Sequence, residues 1–418
     1  MDHLGRANVD HLARADGGSV TPSCDTQLGS DKALLELLGK ASWPSPDAAR
    51  QFLLAFHDAE ALAAATAALP PDARAVIAPE NAALRGLARV MSELASRLAS
   101  HQRIRVATLE RDETIIESRK LDAKPHYKQG RGYQPSVVYW VETDMVVADE
   151  FRDGNVPAGM SPLSVIRRAF ETLPASVEVR RFRGDSACYE ESTLKWLAHA
   201  DNRIERFTIS ADMSPQLAQA CAAVPDAQWQ LLEKRTNELV WWAEVEFTPG
   251  DWPKTASPLR YLVRRIEKRQ SDLLAPETTR KHLAIVSNDR KTPGPALLAW
   301  HYARAGTIEK LHDVVKNELG GGVLPCAELG ANAAWWRLCL ITYNVLSALK
   351  KVGLPVEFDD ARPKRLRFAI FNVAARIARE ARRLIARVTQ IVIQRIDALA
   401  TRRRIWTLAV IPPPRSTS

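Results

Sequence analysis

An α/β core flanked by helical regions is the fold class that the sequence predicts, and three observations predict it. From Arg103 to Ala223, strand-like alternation and helical apolar spacing take turns. Between 227 and 290, short β-like runs separated by Pro and Gly interrupt that rhythm. Before 101 and again after 295, the apolar spacing is helical.

Composition sets the limits. The chain has 418 residues, 46% hydrophobic and 26% charged, which excludes a disordered chain and leaves material for a large core. The length suggests two or three domains. The net charge of +9 is uneven: residues 1–100 hold 9 basic against 12 acidic residues, and residues 350–418 hold 16 against 5. A basic end on a near-neutral body points to a polyanionic partner. Five cysteines, an odd number without CxxC spacing, argue against a disulfide framework or a zinc knuckle and fit a reducing cytosol. The N-terminus has no apolar signal region, and the run Ile405 to Ile411 is too short to span a bilayer. A soluble, cytoplasmic protein without a membrane partner is expected.

Residues 1–31 are polar and aperiodic and are expected to be disordered. Residues 32–101 read as an N-terminal helical region. Ser45-Pro46-Asp47 starts one helix, Pro70-Pro71-Asp72 breaks the next segment, and another helix runs from about Asn81 to Ser100. Residues 102–350 read as an α/β domain. Ile104, Val106 and Thr108 alternate in a strand ending near Asp112, and Val137 to Val147 supplies one or two more. Ser161 is expected to cap a helix with Val165, Ile166, Ala169 and Phe170 on its apolar face. A strand from Val177 to Phe182 ends at Gly184-Asp185, and a helix, a short strand and another helix follow to Ala223. Leu239–Phe247, Tyr261–Ile266 and His282–Ser287 read as strands of a β-rich insertion at about 227–290. Helices then cover Thr307 to the Gly320-Gly321-Gly322 stop and roughly Asn332 to Lys350.

Residues 351–418 read as a basic C-terminal helix and tail, the helix spanning about Leu366 to Ala400. Ile370, Ala374, Ile377, Ala381, Leu384, Val388 and Ile391 form a heptad seam, with Arg376, Arg379, Arg382, Arg383 and Arg387 off it. The seam predicts packing or dimerisation, and the Arg face either a solvated surface or one that tracks DNA phosphates.

Three carboxylates stand out by position. Asp112 ends the first strand, Asp185 follows a later one, and Glu309 opens a helix. Carboxylates at neighbouring strand ends, with one from a helix across the sheet, can converge on a hard divalent cation such as Mg²⁺. Such ions can align water or a hydroxyl for in-line attack on a phosphodiester. Taken singly, each residue fits equally well as a turn former or a solvated helix position. Tyr302, Glu309 and Lys316 recur every seven residues, so a helix continuous through Gly306 would set them on one face, with Lys316 suited to a phosphate. Trp252, in the Pro-rich turn of the insertion, is expected to be exposed, ahead of Trp241 and Trp242.

The stretch Trp300-His301-Tyr302-Ala303-Arg304-Ala305-Gly306-Thr307-Ile308-Glu309, continuing through Lys316 to Gly320, resembles the third-acid region of DDE-type insertion-sequence transposases. It resembles the branch with a Tyr–Arg–Glu–Lys signature. Tyr302, Glu309 and Lys316 fill their places, while Ala305 stands at the Arg position and Arg304 precedes it. Asp112-Glu113-Thr114, Phe151-Arg152-Asp153-Gly154-Asn155-Val156 and Phe182-Arg183-Gly184-Asp185-Ser186 are similar to further motifs of the family.

The resemblance covers about residues 32–395. It implies an RNase H-like, retroviral-integrase-type core with a β-rich insertion between the second and third acids. It implies Asp112, Asp185 and Glu309 as catalytic residues and as ligands of two Mg²⁺ ions, with Mn²⁺ able to substitute. The resemblance implies Tyr302, Arg304, Lys316, Trp252, Arg376, Arg379, Arg383 and Arg387 as DNA contacts, with Trp252, ahead of Trp241 and Trp242, as the platform on which a flipped base stacks. The implied activity is transposition by a homodimer in the bacterial nucleoid. Strands are cut at terminal inverted repeats and 3′ ends are joined to target DNA, with or without hairpinned ends. Residues 1–31 lack the family's longer N-terminal DNA-binding region, so an N-terminally truncated, non-catalytic inhibitor is the alternative expectation. A nuclease of the same fold without strand transfer is a third.

Overall fold

A computed structural model describes residues 32–37, 39–120, 122–250, 252–253, 258–269, 278–371, 375–380 and 383–388. Its N-terminal helices are α1 (Lys32–Leu37), α2 (Pro46–Leu54), α3 (Ala59–Ala67) and α4 (Ala82–His101). Ser45, Asp58 and Asn81 cap α2, α3 and α4 by accepting from the amides of Ala48, Ala61 and Leu84. These side-chain oxygens satisfy donors that the first helical turn leaves free.

The strands that follow are β1 (Val106–Glu113), β2 (Ile116–Glu117), β3 (Lys124–Pro125), β4 (Arg131–Tyr133), β5 (Ser136–Trp140) and β6 (Met145–Glu150). Helix α5 (Pro162–Glu171), β7 (Val179–Gly184), α6 (Glu191–Ala198), β8 (Ile204–Ala211) and α7 (Pro215–Ala223) complete an alternating segment. Ser161 begins α5 without a side-chain cap, its backbone left-handed at φ 49°. Strands β9 (Gln230–Lys234), β10 (Glu238–Val245), β11 (Arg260–Arg269) and β12 (Thr278–Ser287) follow. Helices α8 (Gly294–Tyr302), α9 (Ile308–Glu318), α10 (Leu329–Gly353) and α11 (Pro363–Leu366) come next, and then β13 (Ala375–Glu380) and β14 (Arg383–Val388).

One nine-stranded mixed sheet organises the molecule, in the order β6-β5-β1-β7-β8-β12-β11-β10-β9. β1, β7 and β8 run parallel, and the pairs on either side are antiparallel. Strands β9–β12 therefore extend the sheet rather than forming a separate layer. Helices cover both faces, as β5 shows residue by residue. Val138 and Trp140 join one core with α5 and α6, while Val137 and Tyr139 join the other with α9 and α10. Among the described residues, no helix is long and apolar enough to cross a membrane.

Three expectations need correction. Over its described part, the segment expected as a helix from Leu366 to Ala400 leaves helical structure after Phe371, and β13 and β14 form a two-stranded antiparallel hairpin. Runs of Arg, Ala and β-branched Ile or Val satisfy a period of two as well as a heptad, and pairing decides between them. The register sets Arg376 opposite Arg387, Arg379 opposite Leu384 and Arg383 opposite Glu380. The rest of that segment, from 389 on, lies outside the described residues, as do residues 1–31. Second, Trp252 is only 8% exposed and belongs to the main core, in one apolar cluster with Val245, Leu259 and Tyr261. A base-stacking platform has to be open to solvent, and Trp252 is not. Third, no helix continues through Gly306: α8 stops at Tyr302, a 3₁₀ turn spans Ala303–Gly306, and α9 starts afresh at Ile308.

Candidate active site

The carboxyl-terminal ends of the parallel strands β1, β7 and β8 open on one cleft of about 270 Å³. Asp112, Asp185 and Ser210 line it from the sheet, and His301, Tyr302, Arg304, Ala305, Ile308 and Glu309 line it from the α8–α9 segment. Ligand sites of α/β sheets lie at this end of the strands, where the loops diverge.

Local sequence explains each placement. Gly184 precedes Asp185 because a Cβ there would lie 2.8 Å from the Cys188 side chain. Only glycine lets the turn after β7 fold back closely enough to present Asp185. The helix break is pinned by Thr307, whose hydroxyl donates to the buried carboxylate of Glu110 on β1. Glu110 also pairs with Arg183 on β7, and Arg183 donates to the Trp300 carbonyl at 2.5 Å. Gly294, at the start of α8, lies so close to the Trp242 ring that a Cβ would overlap it at 2.1 Å. The insertion thus buttresses the helix that carries His301 and Tyr302.

Asp112, Glu113 and Asp185 each offer a carboxylate oxygen within 4.8 Å of the others. Hard, anionic oxygen donors at this spacing fit a divalent cation of the Mg²⁺ class. Glu309 is exposed and lines the cleft from α9 without joining that tight set. Glu113 is the member that sequence reasoning missed. Strand alternation argues against adjacent residues sharing a site, yet β1 ends at Glu113. Its carboxylate already pairs with Arg111 and lies 3.9 Å from Arg152.

Burial and then the charge of Asp185 push the Asp112 carboxyl up to about 7, against the opposing pull of Arg304 and Arg111. Two carboxylates crowded together favour either a shared proton or a cation. Cation binding should therefore expel a proton near neutrality and tighten as pH rises from about 6 to about 8. Calorimetric titration with Mg²⁺ in buffers of different ionisation heat measures this. Proton release should be largest below the Asp112 value and fade above it.

The basic and aromatic candidates divide. Arg304 lines the cleft and donates to the Arg111 carbonyl at 3.1 Å. Tyr302 also lines it, with Arg264 stacked 4.3 Å from its ring centre. Lys316 does not reach the cleft; its ammonium donates to the Ile115 carbonyl at 3.2 Å and has its pKa lowered by burial. His301 was also missed. A lone histidine on an apolar helix reads as packing, but here it bonds Thr208 at 2.9 Å and Ser210 at 3.1 Å on β8. Burial depresses its pKa to about 3, so it is neutral.

A mixed sheet with carboxylates gathered at the ends of adjacent parallel strands offers hard oxygen donors to a divalent cation. The family model described as "Transposase DDE domain group 1" matches residues 51–403, and the chain belongs to that transposase family. No match is found among curated proteins. Among solved structures, the chain is similar to one in the "Cryo-EM structure of piggyBac transposase synaptic complex with hairpin DNA". The identity is 10% over 72% of this chain and 76% of that one, with a TM-score of 0.33.

Proposed function

We propose that this chain is the transposase of an insertion sequence, cutting DNA at terminal inverted repeats and joining 3′ ends to target DNA. One observation carries the reading: Asp112 and Asp185, at the ends of adjacent parallel strands, share a cleft with Glu309 on α9. In this reading β6-β5-β1-β7-β8 is the RNase H-like core and β9–β12 is its insertion.

Asp112, Asp185 and Glu309 would hold two Mg²⁺ ions, with Mn²⁺ able to substitute and Glu113 close enough to take part. When bound, the ions supply the Lewis acidity that activates water or a 3′ hydroxyl towards the scissile phosphorus. The protein's own groups set the stage. The Glu110–Thr307 bond fixes the kink that turns Glu309 towards the sheet. Neutral His301, held by two β8 hydroxyls, walls the cleft without adding charge. Arg304, fastened to the β1 backbone, brings a cation against the carboxylates and offers attraction to an incoming phosphate.

Lys316 lies beyond the cleft, where the charge of Asp313, and then those of Lys128 and Glu117, act on it. In this reading its ammonium meets one DNA phosphate as a point charge. Lys316→Ala is therefore expected to weaken DNA binding and reduce the salt slope by about 0.9, the value of one phosphate contact. Fluorescence anisotropy across a salt series checks this, and an unchanged slope removes Lys316 from the interface. The 16 basic residues of 350–418, Arg376, Arg379, Arg383 and Arg387 among them, support added affinity without sequence preference. Assembly as a homodimer on DNA in the bacterial nucleoid belongs to the same proposal.

The deciding experiment is incubation of the protein and Mg²⁺ with a DNA fragment carrying the inverted repeats that flank the gene. Cleavage at the repeat ends and joined 3′ products are expected. Binding to the ends without any cleavage would favour the inhibitor reading.

A further inference from the structure

His312 lies on α9 one turn beyond Glu309, on the side that faces β1. It is only 7% exposed, and neither ring nitrogen has a hydrogen-bond partner among the described residues. Buried polar groups are nearly always paired, so an unpartnered imidazole calls for an explanation. Its Nε2 stands 3.8 Å from Oδ2 of Asp112, outside hydrogen-bond reach by a small side-chain adjustment. The other oxygen, Oδ1, already accepts the backbone N–H of Glu113 at 3.0 Å. One edge of the Asp112 carboxylate is thus held by the main chain, and the other faces His312.

We propose that His312 is a positioning residue for the cation site: its Nε2–H closes on Oδ2 of Asp112 and fixes the rotation of that carboxylate when a divalent cation binds. The inference rests on the reading of Asp112 as a ligand. Hydrogen-bonded partners behind a ligand carboxylate orient its lone pairs, and losing one costs metal affinity even though the partner never touches the metal. The site already described explains neither the burial of His312 nor its orientation. Its ring does not line the cleft, yet its Nε2 stands beside the Asp112 carboxylate. His312 also links α9 to β1, so the helix that carries Glu309 and the strand that carries Asp112 would be drawn into one unit by the same contact.

The test is Mn²⁺ binding to the full chain, followed by the electron paramagnetic resonance of free Mn²⁺, for wild type, His312→Leu, His312→Gln and Asp112→Asn. His312→Leu should weaken binding by about 10-fold or more, with the melting temperature unchanged. His312→Gln places an amide nitrogen near the Nε2 position and should recover most of the affinity. A merely structural histidine predicts the reverse order, since leucine suits a buried site better than glutamine. Wild-type affinity in His312→Leu, or a glutamine variant no better than leucine, overturns the inference. Failure of wild type to bind Mn²⁺, or undiminished binding by Asp112→Asn, overturns the site reading and the inference with it. Loss in Asp112→Asn alone overturns only the inference. Should His312→Leu not fold, the ¹⁵N resonance of His312 in labelled wild type decides. A shift of Nε2 on adding Mg²⁺ that is absent from Asp112→Asn supports the contact, and an unmoved Nε2 overturns it.

Discussion

Asp185→Asn is expected to lower Mg²⁺-dependent DNA cleavage by about 10³-fold, the scale of losing a preorganised electrostatic group, while DNA affinity stays within a few-fold. The amide keeps the shape of the carboxylate but not its charge. Asp185 has no capping bond to the 3₁₀ turn that follows it, and the Cys188 thiol that donates to its Oδ1 at 3.9 Å keeps an oxygen acceptor in asparagine. Its charge is also the second cause of the raised Asp112 pKa, after burial. Removing it relieves that repulsion, and the melting temperature should hold or rise. Activity lost together with stability maintained is the signature of a residue retained for chemistry rather than for folding. Normal cleavage by this variant in Mg²⁺ would remove Asp185 from the active site. An equal loss of DNA binding would instead make it part of the binding surface.

The largest effect on stability should come from Arg337→Met. Arg337 is 1% exposed on α10 and ties three elements together. Its Nε donates to Asp149 on β6 at 2.7 Å, Nη1 to the Leu84 carbonyl on α4 at 2.7 Å, and Nη2 to Glu80 at 2.6 Å. Removing the guanidinium strands a buried carboxylate, and breaking one partner of a buried pair costs about 3–5 kcal/mol. Burial already pushes the Asp149 carboxyl upward against the pull of Arg337. Without Arg337 that carboxyl should take up a proton more readily. The deficit, measured by urea unfolding, is then expected to shrink as pH falls, because protonation neutralises the stranded charge. Adding Asp149→Asn should recover part of the loss, since coupled partners are not additive. A deficit below about 1 kcal/mol, in the range of an exposed ion pair, would show that the pair contributes little to holding α10 on the sheet.

Asp112 and Asp185 were legible in the sequence because each ends a short alternating run, and a carboxylate where a strand stops is visible without knowing what lies beside it. Glu309 was legible from its place at a helix start and from the heptad-spaced Tyr302 and Lys316. Spacing alone overreached for those two. A seven-residue interval sets side chains on one face only if the helix is unbroken, and the Thr307–Glu110 bond that breaks it joins residues 197 positions apart. Tyr302 reaches the cleft even so, whereas Lys316 turns to the Ile115 carbonyl. Glu113, His301 and His312 carried no signal. Their partners, Asp185, Thr208, Ser210 and Asp112, belong to other elements of the fold, and no local period reports on them.

The sequence by itself determined the elements whose stability is local. These are the capped helices α2 to α4, the glycine stop after α9, the alternating strands of the core and the β-rich segment at about 227–290. Each follows from backbone sterics, capping or a hydrophobic period within one window of chain. Tertiary structure alone decided what needs a distant partner. It buried Trp252 in the core, paired residues 375–380 with 383–388 as strands, and merged the insertion into the main sheet. It also brought Asp185 to the adjacent pair Asp112 and Glu113, with no sequence spacing that links them. Side-chain burial and carboxylate crowding are sums over neighbours from the whole fold, and their energies arise only once the parallel strands are laid side by side.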